Sequence, residues 1–207
     1  MLQKQTVEPR TLSLLSELMD LEILSTFNLV GGTALSLKLG HRISIDLDLF
    51  SNSNISNLEI LNELNLIFKE RFVLKTSNKV GIFCLIDNIK VDIIHYDFEL
   101  IYPLETIENI RMASIQDIAA MKIQAILGRG AKKDFFDLYE ILKDYSLMDI
   151  IKFHKLKYPA QKLFITIPQT LTYFDDANES EDPVSLTNIS WEEVKLALQK
   201  VVNDFLR

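Results

Sequence analysis

The octapeptide Ile43-Ser44-Ile45-Asp46-Leu47-Asp48-Leu49-Phe50 alternates apolar and polar side chains without a break. A period of two is the pattern of a half-buried β-strand, so this segment commits the chain to a sheet. It also sets Asp46 and Asp48 on one face, about 6.5–7 Å apart, and assigns Ile45, Leu47 and Leu49 to the buried face. Like charges held side by side repel, and a divalent cation beside them relieves the repulsion. Hard cations such as Mg²⁺ take oxygen ligands, commonly one or two carboxylates completed by water and phosphate. An isolated Asp-x-Asp is equally the wet face of an ordinary strand, so its neighbours decide between the two.

Those neighbours add to the case. A short apolar strand, Phe27 to Val30, runs into Gly31-Gly32, and Thr33 is expected to cap a helix that Gly40 ends. A glycine pair lets backbone N–H groups approach a ligand, and the helix start adds positive potential. That combination suits a triphosphate, although a plain strand-to-helix turn has the same appearance. A third acid, Asp92, lies in another apolar strand, Ile89 to His95.

The rest of the chain supplies context. A helix is expected over 11–25 and another over 58–70, with a polar loop at 51–57 before it. Strands are expected over 72–76 and 80–86, with Asp87-Asn88 as a tight hairpin turn into the next strand. After Tyr102 the pattern turns helical: 114–127, 131–145, 148–157, an acidic loop at 175–183, and a last helix opened by the capping box Ser190-Trp191-Glu192-Glu193. The expected class is α+β. The expected division is a sheet-bearing core over 1–105 and a helical region over 106–207 packed on it.

Composition removes other classes. With 207 residues, 48% hydrophobic and 25% charged, the chain can bury a core without disulfides. A lone cysteine, Cys84, excludes an internal disulfide and a cysteine zinc site. There is no signal-peptide core at the N-terminus and no apolar run of about 18 residues, which points to a cytoplasmic protein with no membrane partner. The net charge of −7 argues against a general nucleic-acid coat but not against a local basic face. Walker A and nucleophile-elbow motifs are absent from the sequence.

Taken together, Gly31-Gly32-Thr33, a twelve-residue spacer, Asp46-x-Asp48 and a later acid resemble the nucleotidyltransferase β superfamily. More narrowly, the stretch from Gly31 to Phe50 is similar to the signature of the AbiEii/AbiGii toxin nucleotidyltransferases. Lys122 and the run Lys132-Lys133-Asp134-Phe135-Phe136-Asp137-Leu138-Tyr139 resemble that family's downstream motifs. The resemblance implies a nucleotidyltransferase-like mixed sheet. It also implies an Mg²⁺-dependent enzyme that moves NMP from an NTP to a hydroxyl, with tRNA the expected acceptor, in a toxin–antitoxin or phage-defence system. The antitoxin expected alongside is a transcriptional repressor.

Residue by residue, the resemblance implies that Asp46, Asp48 and Asp92 hold metal, with Asp92 also acting on the attacking hydroxyl. Gly31, Gly32, Thr33, Arg42, Ser44, Lys122 and Arg129 would serve the nucleotide, and Asp137 would belong to the active site, with Asp134 and His41 left without a settled role. Lys122 has independent support, because it interrupts a segment that is apolar nearly all round and therefore needs an anion. Phosphate is one candidate and an ion pair with Asp137 is the other. Asp137 itself could instead pair with Lys133. Lys152, Lys155, Lys157 and Lys162 form a tract of +4 without an acid, either an RNA contact or a solvated helix face. Two further functions stay open: transfer to a small molecule or protein side chain, and a non-catalytic binder that keeps the fold.

Overall fold

The computed structural model describes residues 1–53 and 55–207. The loop expected over 51–57 includes residue 54, which lies outside the described residues. Contacts divide the chain into two compact units. One holds Met1–Gly40, Ser44–Glu99 and Pro103–Ala113, and the other holds His41–Ile43, Leu100–Tyr102 and Ser114–Arg207.

The first unit is built on α1 (Pro9–Asp20), β1 (Asn28–Leu29), α2 (Gly31–Leu39), β2 (Leu47–Ser51), α3 (Asn57–Phe68), β3 (Phe72–Asn78), β4 (Gly81–Ile86), β5 (Ile89–His95), β6 (Glu105–Ile107) and β7 (Ile110–Met112). Among the described residues these strands make one mixed sheet of seven, in the order β3-β4-β5-β2-β1-β7-β6. The β2–β5 and β1–β7 pairs are parallel, and the others are antiparallel. Register threads one apolar row through the sheet: Met112, Leu29, Leu49, Ile93 and Ile82 are successive cross-strand partners. All five are buried to within 1% exposure, so this face is the core.

The turns follow their residues. Asp87 and Asn88 take φ of 54° and 64°, the left-handed pair that a two-residue hairpin demands. Gly40 closes α2 at φ 76°. The strand expected from Ile43 begins at Leu47 instead. Residues 43–46 send their backbone groups elsewhere: Ile43 N–H to Val184 O, Ser44 N–H to Thr6 O, and the Asp46 carbonyl to the Thr33 hydroxyl. Ile45 is accordingly 59% exposed, not buried. Val30, not Thr33, is the residue before the first turn of α2. The first helix stops at Asp20, before a 3₁₀ turn at Glu22–Leu24.

The largest departure is the β6–β7 hairpin, in a region where only helix was expected. Its strands are three residues each, too short for periodicity to mark, and its turn residues Glu108 and Asn109 both have positive φ. It matters because Arg111 on β7 closes the irregular run after α1. Its guanidinium donates to Met19 O at 3.0 Å, Leu24 O at 3.1 Å and Phe27 O at 3.3 Å.

The second unit is helical: α4 (Ile115–Gly128), α5 (Lys132–Ile141), α6 (Leu147–Lys157), the one-turn α7 (Ile167–Thr170) and α8 (Asp175–Asn178), and α9 (Trp191–Leu206). Helix α5 ends at Ile141, short of the expected Tyr145, and the acidic loop contains the turn α8. Ser190 and Glu193 form the expected capping box. The Asp117 carboxylate accepts from the backbone N–H groups of Ile101 and Tyr102 and meets Lys157 Nζ at 2.7 Å. No helix among the described residues is long and apolar enough to cross a membrane.

Replacing Arg111 by Met removes three hydrogen bonds to carbonyls, of which Leu24 O keeps the bond from Phe27 N–H, and is expected to lower unfolding free energy by about 2–3 kcal/mol, read as a shift of the urea midpoint at unchanged slope.

Candidate active site

In the sheet unit, the Asp-x-Asp segment is fixed by the turn that precedes α2. Val30 N–H donates to the carbonyl of Asp48 at 2.9 Å. The Thr33 hydroxyl bonds the carbonyl of Asp46 and lies 2.8 Å from Ser44 Oγ. Gly31 sits at φ 68°, and a Cβ on it would come within 2.6 Å of Asp48 Oδ2. Two demands therefore meet at Gly31: a left-handed backbone and an empty space into which a carboxylate packs.

The third acid comes from the neighbouring strand. Asp48 and Asp92 are direct partners across the parallel β2–β5 pair, so their side chains leave the same face. Asp92 is 9% exposed, and its Oδ1 has no hydrogen-bond partner. Its Oδ2 is 2.7 Å from Nζ of Lys90, two residues earlier on the same face. Burial lowers the Lys90 pKa, but the bond to Asp92 and the charges of Asp92, Asp48 and Asp46 outweigh it and leave the ammonium raised. All three acids thus act on one cation. Lys90 escaped the sequence reading, although the alternation that placed Asp92 also placed it.

No group of three His, Cys, Asp or Glu side chains among the described residues is close enough to hold a metal unaided. The donor set still suits a hard dication, because such ions take one or two carboxylates and complete their shell with water and phosphate. An unpartnered buried carboxylate oxygen and an ammonium drawn to three acids mark a seat for positive charge.

In the helical unit a second cluster forms around Asp137, which is fully buried. Arg42 grips it with two bonds, Nε to Oδ1 at 2.6 Å and Nη2 to Oδ2 at 2.9 Å. His41 Nε2 lies 2.7 Å from Oδ1, and Lys122 Nζ lies 2.5 Å from Oδ2. Lys122 also bonds Asp134 at 3.0 Å, and Arg129 holds Asp134 with two bonds of 2.9 and 3.0 Å. Burial would raise the Asp137 carboxyl, but the charges of Lys122 and Arg42 hold it well below the usual range. Asp134 is lowered for the same reason, by Lys122 and Arg129. Lys122 is raised, since Asp137 and Asp134 outweigh its burial and the repulsion of Arg42.

Of the residues singled out in the sequence, Gly31, Thr33, Ser44, Asp46, Asp48 and Asp92 are tied together in the sheet unit, and Gly32 follows Gly31 in the first turn of α2. Arg42, Lys122, Arg129 and Asp137 are tied together in the helical unit, with His41 and Asp134. The ion-pair alternative for Lys122 is realised, and Asp134 shares it. Asp137 takes Lys122, Arg42 and His41 as partners in place of Lys133.

A mixed sheet that carries Asp-x-Asp beside a glycine turn, with a third acid in register, defines a nucleotidyltransferase-like fold. Residues 13–193 match the family described as nucleotidyl transferase AbiEii toxin, type IV TA system. An uncharacterised protein of Aquifex aeolicus is 33% identical over 200 residues, covering 93% of this chain and 94% of its own. Three solved structures share the fold. A Helicobacter pylori protein described as a candidate nucleotidyltransferase has a TM-score of 0.56 at 20% identity, over 95% of this chain and 94% of that one. JHP933 from the same species gives 0.53 at 18%, over 95% and 92%. MenT4, a nucleotidyltransferase toxin of Mycobacterium tuberculosis, gives 0.54 at 15%, over 93% and 84%. The chain belongs to the AbiEii nucleotidyltransferase toxin family of type IV toxin–antitoxin systems.

Two outcomes follow. Gly31→Ala is expected to lower stability by about 1–2 kcal/mol through its backbone. Displacing Asp48 would also cost nucleotidyl transfer on the order of a hundredfold, a split seen by comparing urea unfolding with turnover. Asp134 and Asp137 have folded pKa values below their unfolded ones. Their stabilisation is therefore complete above about pH 4 and lost as pH falls through the folded values. The stability gap between the wild type and Asp137→Asn should be widest at neutral pH and narrow on acidification.

Proposed function

We propose that this toxin transfers NMP from an NTP to the hydroxyl end of a tRNA, with Asp46, Asp48 and Asp92 holding Mg²⁺. The observation that carries the reading is the register of Asp48 with Asp92, with the Asp48 carboxylate seated against Gly31 at the start of α2. The bound dication would supply positive charge to the phosphate oxygens and to the oxygens that enter and leave.

The chain's own groups do the rest. Gly31 and Gly32 form the first turn of α2, whose backbone N–H groups and positive end would face the triphosphate. Thr33 and Val30 hold the carbonyls of Asp46 and Asp48, which fixes the backbone from which the two acids project. Asp92 presents Oδ1 to the acceptor hydroxyl and takes its proton. The acceptor oxygen bonds to the α-phosphorus as the bond to the β-phosphate oxygen breaks, and pyrophosphate leaves. Lys90, 2.7 Å from Asp92 Oδ2, would offset the charge of Asp92 in the absence of a bound dication. In the helical unit, Lys122 and Arg129 are proposed to serve the nucleotide's phosphates, as the family resemblance implies. A second role for Lys122 has direct support from its two bonds to Asp134 and Asp137: it balances buried charge. The cognate antitoxin is proposed to be a transcriptional repressor.

Incubation with labelled NTPs, Mg²⁺ and total tRNA should place label on RNA. Asp46→Asn and Asp48→Asn should each lower it at least about a hundredfold, with circular dichroism unchanged. Label on protein or on a small metabolite instead would redirect the acceptor.

A further inference from the structure

Between Asp149 and Asp175 the chain carries no carboxylate side chain, in a protein of net charge −7. The segment spans most of α6, the loop after it, and α7. Its lysines do not all serve one purpose. Lys157 is buried against Asp117 and is part of the packing. Lys152, Lys155 and Lys162 are exposed. Lys152 and Lys155 are three apart on α6 and so share a face.

A cavity of about 460 Å³ opens beside them, lined by His154, Lys155, Tyr158, Gln161, Leu163 and Ile167, with Pro159. Its buried lining is two rings and an aliphatic side chain, His154, Tyr158 and Ile167. The His154 ring packs 5.0 Å from that of Tyr158, and burial lowers the His154 pKa. Gln161 offers an amide to the opening, and Lys155 places one charge on its edge. The exposed Lys162 lies in the chain between Gln161 and Leu163, which both line the cavity. Next along the chain, Phe164 stands fully in solvent at 106% exposure, followed by Ile165 at 56%.

Exposed cations, an aromatic ring in solvent and a ring-lined recess close together in the chain are what a single-stranded nucleic acid needs. Phosphates meet the lysines, one base stacks on the ring, and another enters the recess. A wholly apolar partner would not call for the three lysines. We propose that this face of the helical unit is the docking surface for a single-stranded RNA end, with Lys152, Lys155 and Lys162 on its phosphates and Phe164 stacked on a base. The inference rests on the RNA-acceptor reading above and deepens it.

The test is fluorescence anisotropy with a fluorescein-labelled single-stranded RNA, with unfractionated tRNA as competitor, on the full-length chain. Lys152→Glu, Lys155→Glu and Lys162→Glu together should weaken binding at least about tenfold and flatten the salt dependence by about two units of slope. Phe164→Ala should weaken it about tenfold. Melting temperature and binding of a fluorescent NTP analogue should not move. If the wild type binds RNA and the triple variant binds equally well, this surface is wrong while the acceptor reading stands. Should the wild type bind no RNA and label another acceptor, both fail. Polyglutamate competing as well as tRNA would assign the face to an acidic protein segment and overturn the proposal.

Discussion

The parallel pairing of β2 with β5 sets two carboxylates side by side, and the sheet unit depends on keeping them there. Asp48 and Asp92 would drift apart if their own charges decided the matter. Their spacing is set instead by the ladder and by the apolar row from Met112 to Ile82 on the opposite face. A slip of the β2–β5 register would carry that apolar row out of the core. The hydrophobic core thus does the work of holding like charges together, and the turn before α2 adds two clamps on the backbone of the Asp-x-Asp segment.

The helical unit solves a different electrostatic problem. Asp137 and Asp134 lie out of solvent, where an unpaired carboxylate would be costly. Lys122, Arg42, Arg129 and His41 surround them, so each charge has a partner within hydrogen-bond reach. Removing one member of such a set typically costs about 3–5 kcal/mol, because the survivor is stranded. The cluster also draws His41 and Arg42 onto α4 and α5, which explains why the chain just before the Asp-x-Asp pair counts with the helices.

Much of this was legible in the sequence, because the strongest signals are local. The alternation around Asp46 and Asp48, the left-handed turn at Asp87-Asn88, the stop at Gly40 and the capping box at Ser190 depend on neighbours in the chain. What escaped depended on partners far away. Ile45 reads as a buried strand residue until Ser44 and Asp46 are seen to spend their backbone bonds outside the ladder. The β6–β7 hairpin is three residues to a strand and exists because β1 offers an edge. Lys122 announced that it needed an anion, but its sharing between Asp134 and Asp137 depends on how α4 and α5 pack. Lys157 looked like one more member of a basic face until Asp117 claimed it.

Lys90 has a consequence of its own. Its ammonium, tethered two residues from Asp92, offsets the acids before any ion arrives. The polypeptide brings its own counter-charge to the sheet, so closing β2 against β5 does not wait for a dication. On the proposed reading, loading the site would exchange a tethered cation for a free one, separately from folding, so a newly made chain in a chelating environment would lose its chemistry without losing its shape.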